Sequence, residues 1–235
     1  MQAKILFSMK LVGQWIVCLC FALISTASFS AEIAKTAAPA AKMTSSVAVN
    51  YREGVQYRRL TTPPLPLATG KKVNVVEFFS YGCSHCFAME PVLDQWLSHS
   101  PKNVQFERMP AYWNDYFQLM AQTYYTLVLL KQEKLHNKVF QTIHALGRPL
   151  QSPEDVEQFL VEQGIDRAKV HNTLNSFAVQ QKIRLSNTTF RGYGLNGVPS
   201  FVVGGQYMTD VGMAGSEQNV FKVIEFLVQK IKSGK

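Results

Sequence analysis

The stretch from Val73 to Cys86 (VNVVEFFSYGCSHC) restricts the possible folds more than any other part of the 235-residue sequence. Val73-Asn74-Val75-Val76-Glu77-Phe78-Phe79 is dense in β-branched and aromatic side chains, the composition of a central strand covered on both faces. Directly after it come Cys83-Ser84-His85-Cys86, and Met89, Leu93 and Trp96 continue at helical spacing. A buried strand therefore feeds a helix whose first turn holds two thiols. The leading sulfur then lies against unpaired backbone N–H groups and the positive helix end, both of which favour a thiolate. An ordinary thiol, with a pKa of roughly 8.5, is only a few per cent ionised at pH 7, so a drop of about two units would leave it mostly ionised. His85 adds a donor or a positive charge, and Cys86 lies on the same helical face, close enough to resolve a mixed disulfide. Stabilising the reduced form makes the oxidised form the stronger oxidant.

The rest of the chain supplies a sheet and helices around this unit. Val55 to Leu60 alternates as a strand, and the prolines of Thr61-Thr62-Pro63-Pro64-Leu65-Pro66 must then leave the sheet. Asn103 to Met109 gives a third strand closed by Pro110. Phe117, Met120, Ala121, Tyr124, Leu127 and Val128 recur at spacings of three and four, one side of a helix. Leu135 to Leu146 makes a second helix. Ser152-Pro153-Glu154-Asp155 reads as cap, first-turn proline and two acids opening a third, which stops at Gly164. Asp166 caps a fourth, and Phe177 to Phe190 is a fifth. Ser200 to Val203, the pair Gly204-Gly205, and Gln206 to Met208 form a tight hairpin, since two glycines supply the positive φ angles its turn needs. Ser216 caps a closing helix with apolar positions Val220, Val223, Ile224, Leu227 and Ile231. The expected fold class is α/β: a mixed sheet with helices on both faces, interrupted by a helical block.

At the N-terminus, Lys4 and Lys10 precede an apolar run from Leu11 to Ile24, followed by small residues through Ser30. This is the layout of a secretory signal peptide over residues 1–30, and the apolar run is too short for a membrane span, which takes about 20 residues. Cleavage would remove Cys18 and Cys20 and leave the closely spaced pair alone. Residues 31–50 are rich in Ala, Ser and Thr and can bury little surface, which predicts a flexible extension or an element that pairs with a second chain. The net charge of +8 comes from basic residues that never run longer than the pairs Arg58-Arg59 and Lys71-Lys72, which argues against nucleic-acid binding.

Two plainer readings of the cysteine pair are weak. A zinc site needs about four ligands, and the chain offers one CxxC with only scattered His99, His136, His144 and His171. A structural bridge at this spacing closes a tiny loop and removes little chain entropy. Redox chemistry is left as the principal reading. Tyr112-Trp113-Asn114-Asp115-Tyr116-Phe117 reads first as core, with a peptide groove near the site as the alternative.

Val76-Glu77-Phe78-Phe79-Ser80-Tyr81-Gly82-Cys83-Ser84-His85-Cys86, followed by Gly197-Val198-Pro199-Ser200-Phe201-Val202-Val203-Gly204-Gly205, closely resembles the DsbA family of periplasmic thiol:disulfide oxidoreductases over about residues 50–232. The resemblance implies a thioredoxin-like domain over 51–112 and 191–235 with an inserted helical domain over 113–190. It implies an exposed nucleophile at Cys83, a buried partner at Cys86, a thiolate-stabilising histidine at His85 and an acidic residue beneath the site at Glu77. Pro199 corresponds to the family's cis-proline, with Val198 before it offering backbone groups to an extended substrate. Glu77 has two roles open to it, proton exchange with Cys86 through a raised pKa and pairing with a basic residue such as Arg108. The family's usual dipeptide is Pro-His. Here Ser84 replaces the proline, so the pair's oxidising strength does not carry over.

The function implied is a periplasmic oxidase that donates the Cys83–Cys86 disulfide to reduced exported proteins and is reoxidised by a quinone-linked membrane partner of the DsbB type. No metal or organic cofactor is called for. The alternatives are an isomerase or reductase, dimeric through residues 31–50, and a redox-inactive peptide-binding chaperone.

Overall fold

The computed structural model describes residues 50–61, 72–99 and 102–234. The expected signal peptide, the extension up to residue 49 and the Pro63 to Pro66 segment lie outside the described residues. The strands are β1 (Arg58–Arg59), β2 (Val73–Phe79), β3 (Val104–Pro110), β4 (Ser200–Val203) and β5 (Tyr207–Asp210). The helices are α1 (Ser84–His99), α2 (Asp115–Leu129), α3 (His136–Phe140), α4 (Pro153–Glu162), α5 (Arg167–Leu174), α6 (Phe177–Gly192), α7 (Val211–Ala214) and α8 (Glu217–Lys232).

The sheet runs β1-β5-β4-β2-β3, with β2 parallel to β3 and the other neighbours antiparallel. All seven residues of β2 are buried, as its composition requires. Its side chains alternate between two cores because successive residues of a strand face opposite ways. Val73 and Val75 meet Met89, Leu93 and Trp96 of α1 together with Val220, Ile224 and Leu227 of α8. Val76 and Phe78 instead pack with Met109, Phe190 and Tyr193 on the α6 side. A third core joins Phe79 and Tyr81 to Phe140, Val156, Phe159 and Leu174 of the helices between β3 and β4.

Local signals place most element ends. Asn114, Ser152, Asp166, Ser176 and Ser216 each accept from a backbone N–H in the first turn of α2, α4, α5, α6 and α8, satisfying donors that a helix leaves open. Ser152 and Asp155 form a reciprocal capping box. Between β4 and β5 both Gly204 and Gly205 have positive φ, 59° and 64°, the tight hairpin turn expected of a glycine pair.

Three expectations change. The strand expected over Val55 to Leu60 is only Arg58–Arg59, because Gly54 (φ 80°) turns the chain and its N–H closes on the Tyr57 carbonyl at 2.7 Å. The helix expected over Leu135 to Leu146 is a composite: a 3-10 turn at Glu133–Leu135, then α3, then a wide π turn at Gln141–Ala145. The short α7 directly after β5 was absent from the sequence reading. Asp210 starts it by accepting from the Met213 N–H at 2.8 Å.

Candidate active site

β2 delivers the chain to the cysteines, and β4 brings a second loop beside them. Pairing of Phe78 with Ser200 sets Gly197, Val198 and Pro199 next to the turn that follows β2. The Val198–Pro199 peptide bond is cis. The Cys83 sulfur lies 3.5 Å from the Val198 carbonyl oxygen. A Cβ on Gly82 would stand 2.7 Å from Tyr116 Cε1 and 3.1 Å from Phe117 Cε1. Only glycine lets the turn approach α2 this closely.

The two sulfurs differ sharply. Cys83 is partly exposed and immediately precedes α1, where its sulfur accepts from the Cys86 N–H at 3.4 Å. Its pKa is lowered to about 6, first by the Cys86 thiol hydrogen-bonded to it and then by the backbone N–H groups of Cys86 and His85 and the charge of His85. Burial opposes these effects without cancelling them. Cys86 is fully buried, and burial followed by the neighbouring Cys83 pushes its thiol well above the ordinary range. Both are free thiols here, so the structure represents the reduced form.

The folded pKa of Cys83 lies below its unfolded value, so ionisation stabilises the reduced fold. That contribution is absent below about pH 6, grows as pH rises and is complete above the unfolded pKa of about 8.5. Discounted for partial exposure, it should reach about 1 kcal/mol at pH 7 and about 2 kcal/mol by pH 9. Urea unfolding of the reduced protein and of reduced Cys83→Ala checks this, since a stability difference that stays flat between pH 5 and pH 9 contradicts it.

Glu77 lies in β2 with no exposed side-chain surface. Burial raises its pKa to about 8, although Arg108 pulls the other way. Arg108 Nε donates to Glu77 Oε2 at 3.1 Å, and Nη2 of the same guanidinium donates to Glu90 Oε2 at 3.1 Å. The pairing with Arg108 and a raised pKa therefore coexist at Glu77.

Tyr81, Glu90, His136 and His144 carry no role at the site in the sequence reading. Tyr81 is buried and its hydroxyl lies 2.8 Å from His136 Nδ1, while its carbonyl oxygen lies 2.8 Å from His144 Nε2. Glu90, in α1, joins the Arg108 cluster. The aromatic stretch divides, with Tyr112 packed against the α2–α6 core and Trp113 half exposed. Trp113 and Phe117 line a cavity of about 430 Å³ with Gly82, Cys83, Ser84 and Val198. On the other side of the cysteines His85, Val198 and Pro199 line a second cavity of about 340 Å³. No group of three or more potential metal ligands occurs among the described residues.

This arrangement suits thiol–disulfide exchange, and relatives agree. The DSBA-like thioredoxin domain family matches residues 102–221. Thiol:disulfide interchange protein DsbA of Pseudomonas aeruginosa is 35% identical over 182 residues, spanning 77% of this chain and 86% of its own. The Bordetella pertussis protein of the same name is 34% identical over 177 residues, 75% of this chain and 85% of its own. The crystal structure of Pseudomonas aeruginosa DsbA superposes with a TM-score of 0.73 at 34% identity, covering 78% of this chain and 96% of that one. For the oxidoreductase DsbA from Xylella fastidiosa the TM-score is 0.72 at 25% identity, over 78% and 98%. With its mixed sheet, flanking helices and paired cysteines, the chain belongs to the DsbA-like thioredoxin-fold family and is a thiol:disulfide oxidoreductase of the DsbA type.

Proposed function

We propose that the chain works outside the cytoplasm, in the periplasm, as an oxidase that gives its Cys83–Cys86 disulfide to reduced exported proteins. A substrate thiolate attacks the Cys83 sulfur, the Cys83–Cys86 bond breaks, and Cys86 departs as a thiolate that takes a proton from Glu77. A second substrate thiolate attacks the substrate sulfur of the mixed disulfide and expels the Cys83 thiolate. The substrate leaves with a disulfide, having lost two electrons, and the enzyme keeps them as a dithiol. A membrane quinone reductase of the DsbB type then restores the disulfide.

One observation carries this reading: the outer sulfur is held as a thiolate near pH 6 while the inner one is buried and kept protonated. The outer sulfur is thus the better leaving group, which favours release of oxidised substrate over retention of the mixed disulfide. His85 holds the thiolate through its N–H and its charge. The Val198 carbonyl and Pro199 present an edge for an extended peptide, with the Trp113 and Phe117 cavity taking an apolar side chain next to the reacting cysteine. Residues 51–112 and 191–235 act as the thioredoxin-like domain, and 113–190 as an inserted helical domain that walls the site.

Purified protein should oxidise a reduced two-cysteine peptide efficiently and reduce insulin poorly when the two assays are run side by side. A Cys83 that ionises only near the ordinary thiol range, or a strongly reducing potential, would overturn the oxidase reading. Glu77→Gln keeps a polar group in β2 but carries no proton to give. In the unaltered protein the step that frees Cys86 should slow as pH climbs through about 8, where Glu77 loses its proton. In Glu77→Gln that limb should vanish and the rate fall by roughly ten- to a hundredfold. An unchanged pH profile would remove Glu77 from the reaction.

A further inference from the structure

Glu77 forms the inner end of a line of buried polar groups that the exchange chemistry leaves without a task. Arg108 bridges Glu77 and Glu90, with 3.1 Å contacts to each. On the far side Glu90 Oε1 lies 3.2 Å from His136 Nε2, and His136 Nδ1 pairs with the Tyr81 hydroxyl at 2.8 Å. Glu77 Oε1 has no hydrogen-bond partner among the described residues, and Glu90 Oε1 and His136 Nε2 have only their 3.2 Å contact with each other. Unsatisfied buried polar atoms are costly, and so sparsely bonded a line calls for an explanation. A cavity of about 320 Å³, lined by Arg108, Tyr124, Glu133 and His136, opens on the outer end of this line. It is large enough for water and offers Arg108, Glu107, Glu133, His136 and Lys182 as polar partners.

Charge accounting gives the line a purpose. With Glu77 protonated, Arg108 balances Glu90 and a neutral His136 adds nothing. Once Glu77 passes its proton to Cys86, one unbalanced negative charge remains in a water-poor interior, where it is poorly solvated. A proton on His136 restores the balance. The groups facing His136 are Tyr81 before α1, Glu90 and Asp94 on α1, Arg108 on β3, Tyr124 on α2 and Glu133 in the turn before α3. Glu107 and Lys182 line the same cavity farther out. Of all these, histidine is the side chain whose ordinary range lies nearest neutral pH, and burial lowers it here against the pull of Glu90.

We propose that His136 is the proton gate of the cysteine pair, exchanging protons between the Glu77–Arg108–Glu90 cluster and solvent through the cavity behind the site. This rests on the role given to Glu77 above. A bound substrate covers Cys83 and Val198, so protons cannot enter from the front while the mixed disulfide exists. The rear cavity provides the route. When the pair is reduced, His136 takes a proton from water in the cavity once Glu77 has protonated Cys86, and beside Glu90 it restores the charge balance of the cluster. On reoxidation the same proton travels outward. His136 touches no reacting sulfur and is a positioning residue for the proton.

The test uses the full mature chain and follows both half-reactions, oxidation of a reduced peptide and reoxidation by oxidised glutathione, across pH 5 to 9. His136→Ala should slow the proton-limited phase about tenfold, below the roughly 10²–10⁴ range of a group acting directly on the reacting atoms. Added imidazole, small enough for the cavity, should restore most of that loss. His136→Gln, which retains hydrogen-bonding capacity but no titratable proton, should be equally slow. Cys83 should still titrate near 6 in both. Normal rates in His136→Gln at every pH, or a deficit in His136→Ala that imidazole leaves untouched, would overturn the proposal. If His136→Ala does not fold, the pH profile of His136→Gln decides alone. Glu77→Gln separates the two readings: if it is unimpaired the role of Glu77 itself fails, whereas a slow Glu77→Gln beside a normal His136→Gln removes only the gate.

Discussion

With Cys86 replaced by alanine, oxidation of a two-cysteine peptide is expected to fall to the uncatalysed background, a loss of several orders of magnitude, because no disulfide remains to be donated. Cys83 should nonetheless stay reactive. Its largest stabilising contact, the Cys86 thiol, is gone, but the backbone N–H groups of the first turn of α1 persist whatever side chain stands at position 86. The pKa of Cys83 should therefore settle between about 6 and the ordinary thiol value of about 8.5. Offered a peptide disulfide, the Cys86→Ala protein should attack it, expel one peptide thiolate and hold the other half as a covalent adduct. Mass spectrometry should find one adduct per protein, lost on adding reductant. Residual turnover, or failure to form the adduct, would mean that Cys83 is not the attacking sulfur.

How far the sequence carried depended on the range of the interaction. β2, α1 and the hairpin of β4 and β5 were legible because composition, helical period and the Gly204-Gly205 pair act over a few residues. Capping signals at Ser152, Asp166 and Ser216 were equally local, and each marks the start of its helix. The pairing of Glu77 with Arg108 could be suspected because both lie on strands that the pattern makes neighbours. Glu90 could not, since it reads as an ordinary charge on α1 and is buried only because β3 sets Arg108 above it. His136 and His144 looked scattered because they were considered as metal ligands. His136, at the start of α3, and His144, in the wide turn after it, instead both reach Tyr81, 55 and 63 residues away in sequence. The aromatic stretch at 112–117 was ambiguous for a related reason: which ring is covered depends on α2 and α6, and only Trp113 is left half exposed.

Arg108→Met should produce the largest loss of stability of any single substitution at the site. The methionine fills a similar volume but leaves Glu77 and Glu90, both almost fully buried, without the cation they share. Removing one partner of a buried ion pair typically costs about 3–5 kcal/mol, because the remaining charge has neither water nor a counterion. The pH dependence identifies the cause. Glu77 already titrates near 8 with Arg108 in place, and without that cation its pKa must rise further. A carboxyl whose folded pKa exceeds its unfolded value destabilises the fold when pH is above the unfolded pKa, and the penalty disappears as pH falls below it. The Glu77 part of the Arg108→Met deficit, measured by urea unfolding with both cysteines held reduced, should therefore be small below pH 8, where Glu77 is protonated in both proteins, and grow as pH rises from 8 to about 10. Adding Glu77→Leu to Arg108→Met should recover part of the loss at pH 8 and little at pH 4. A deficit that is the same at about pH 7 and pH 10 would assign the destabilisation to lost packing of the arginine stem, and the electrostatic account of this cluster would fall with it.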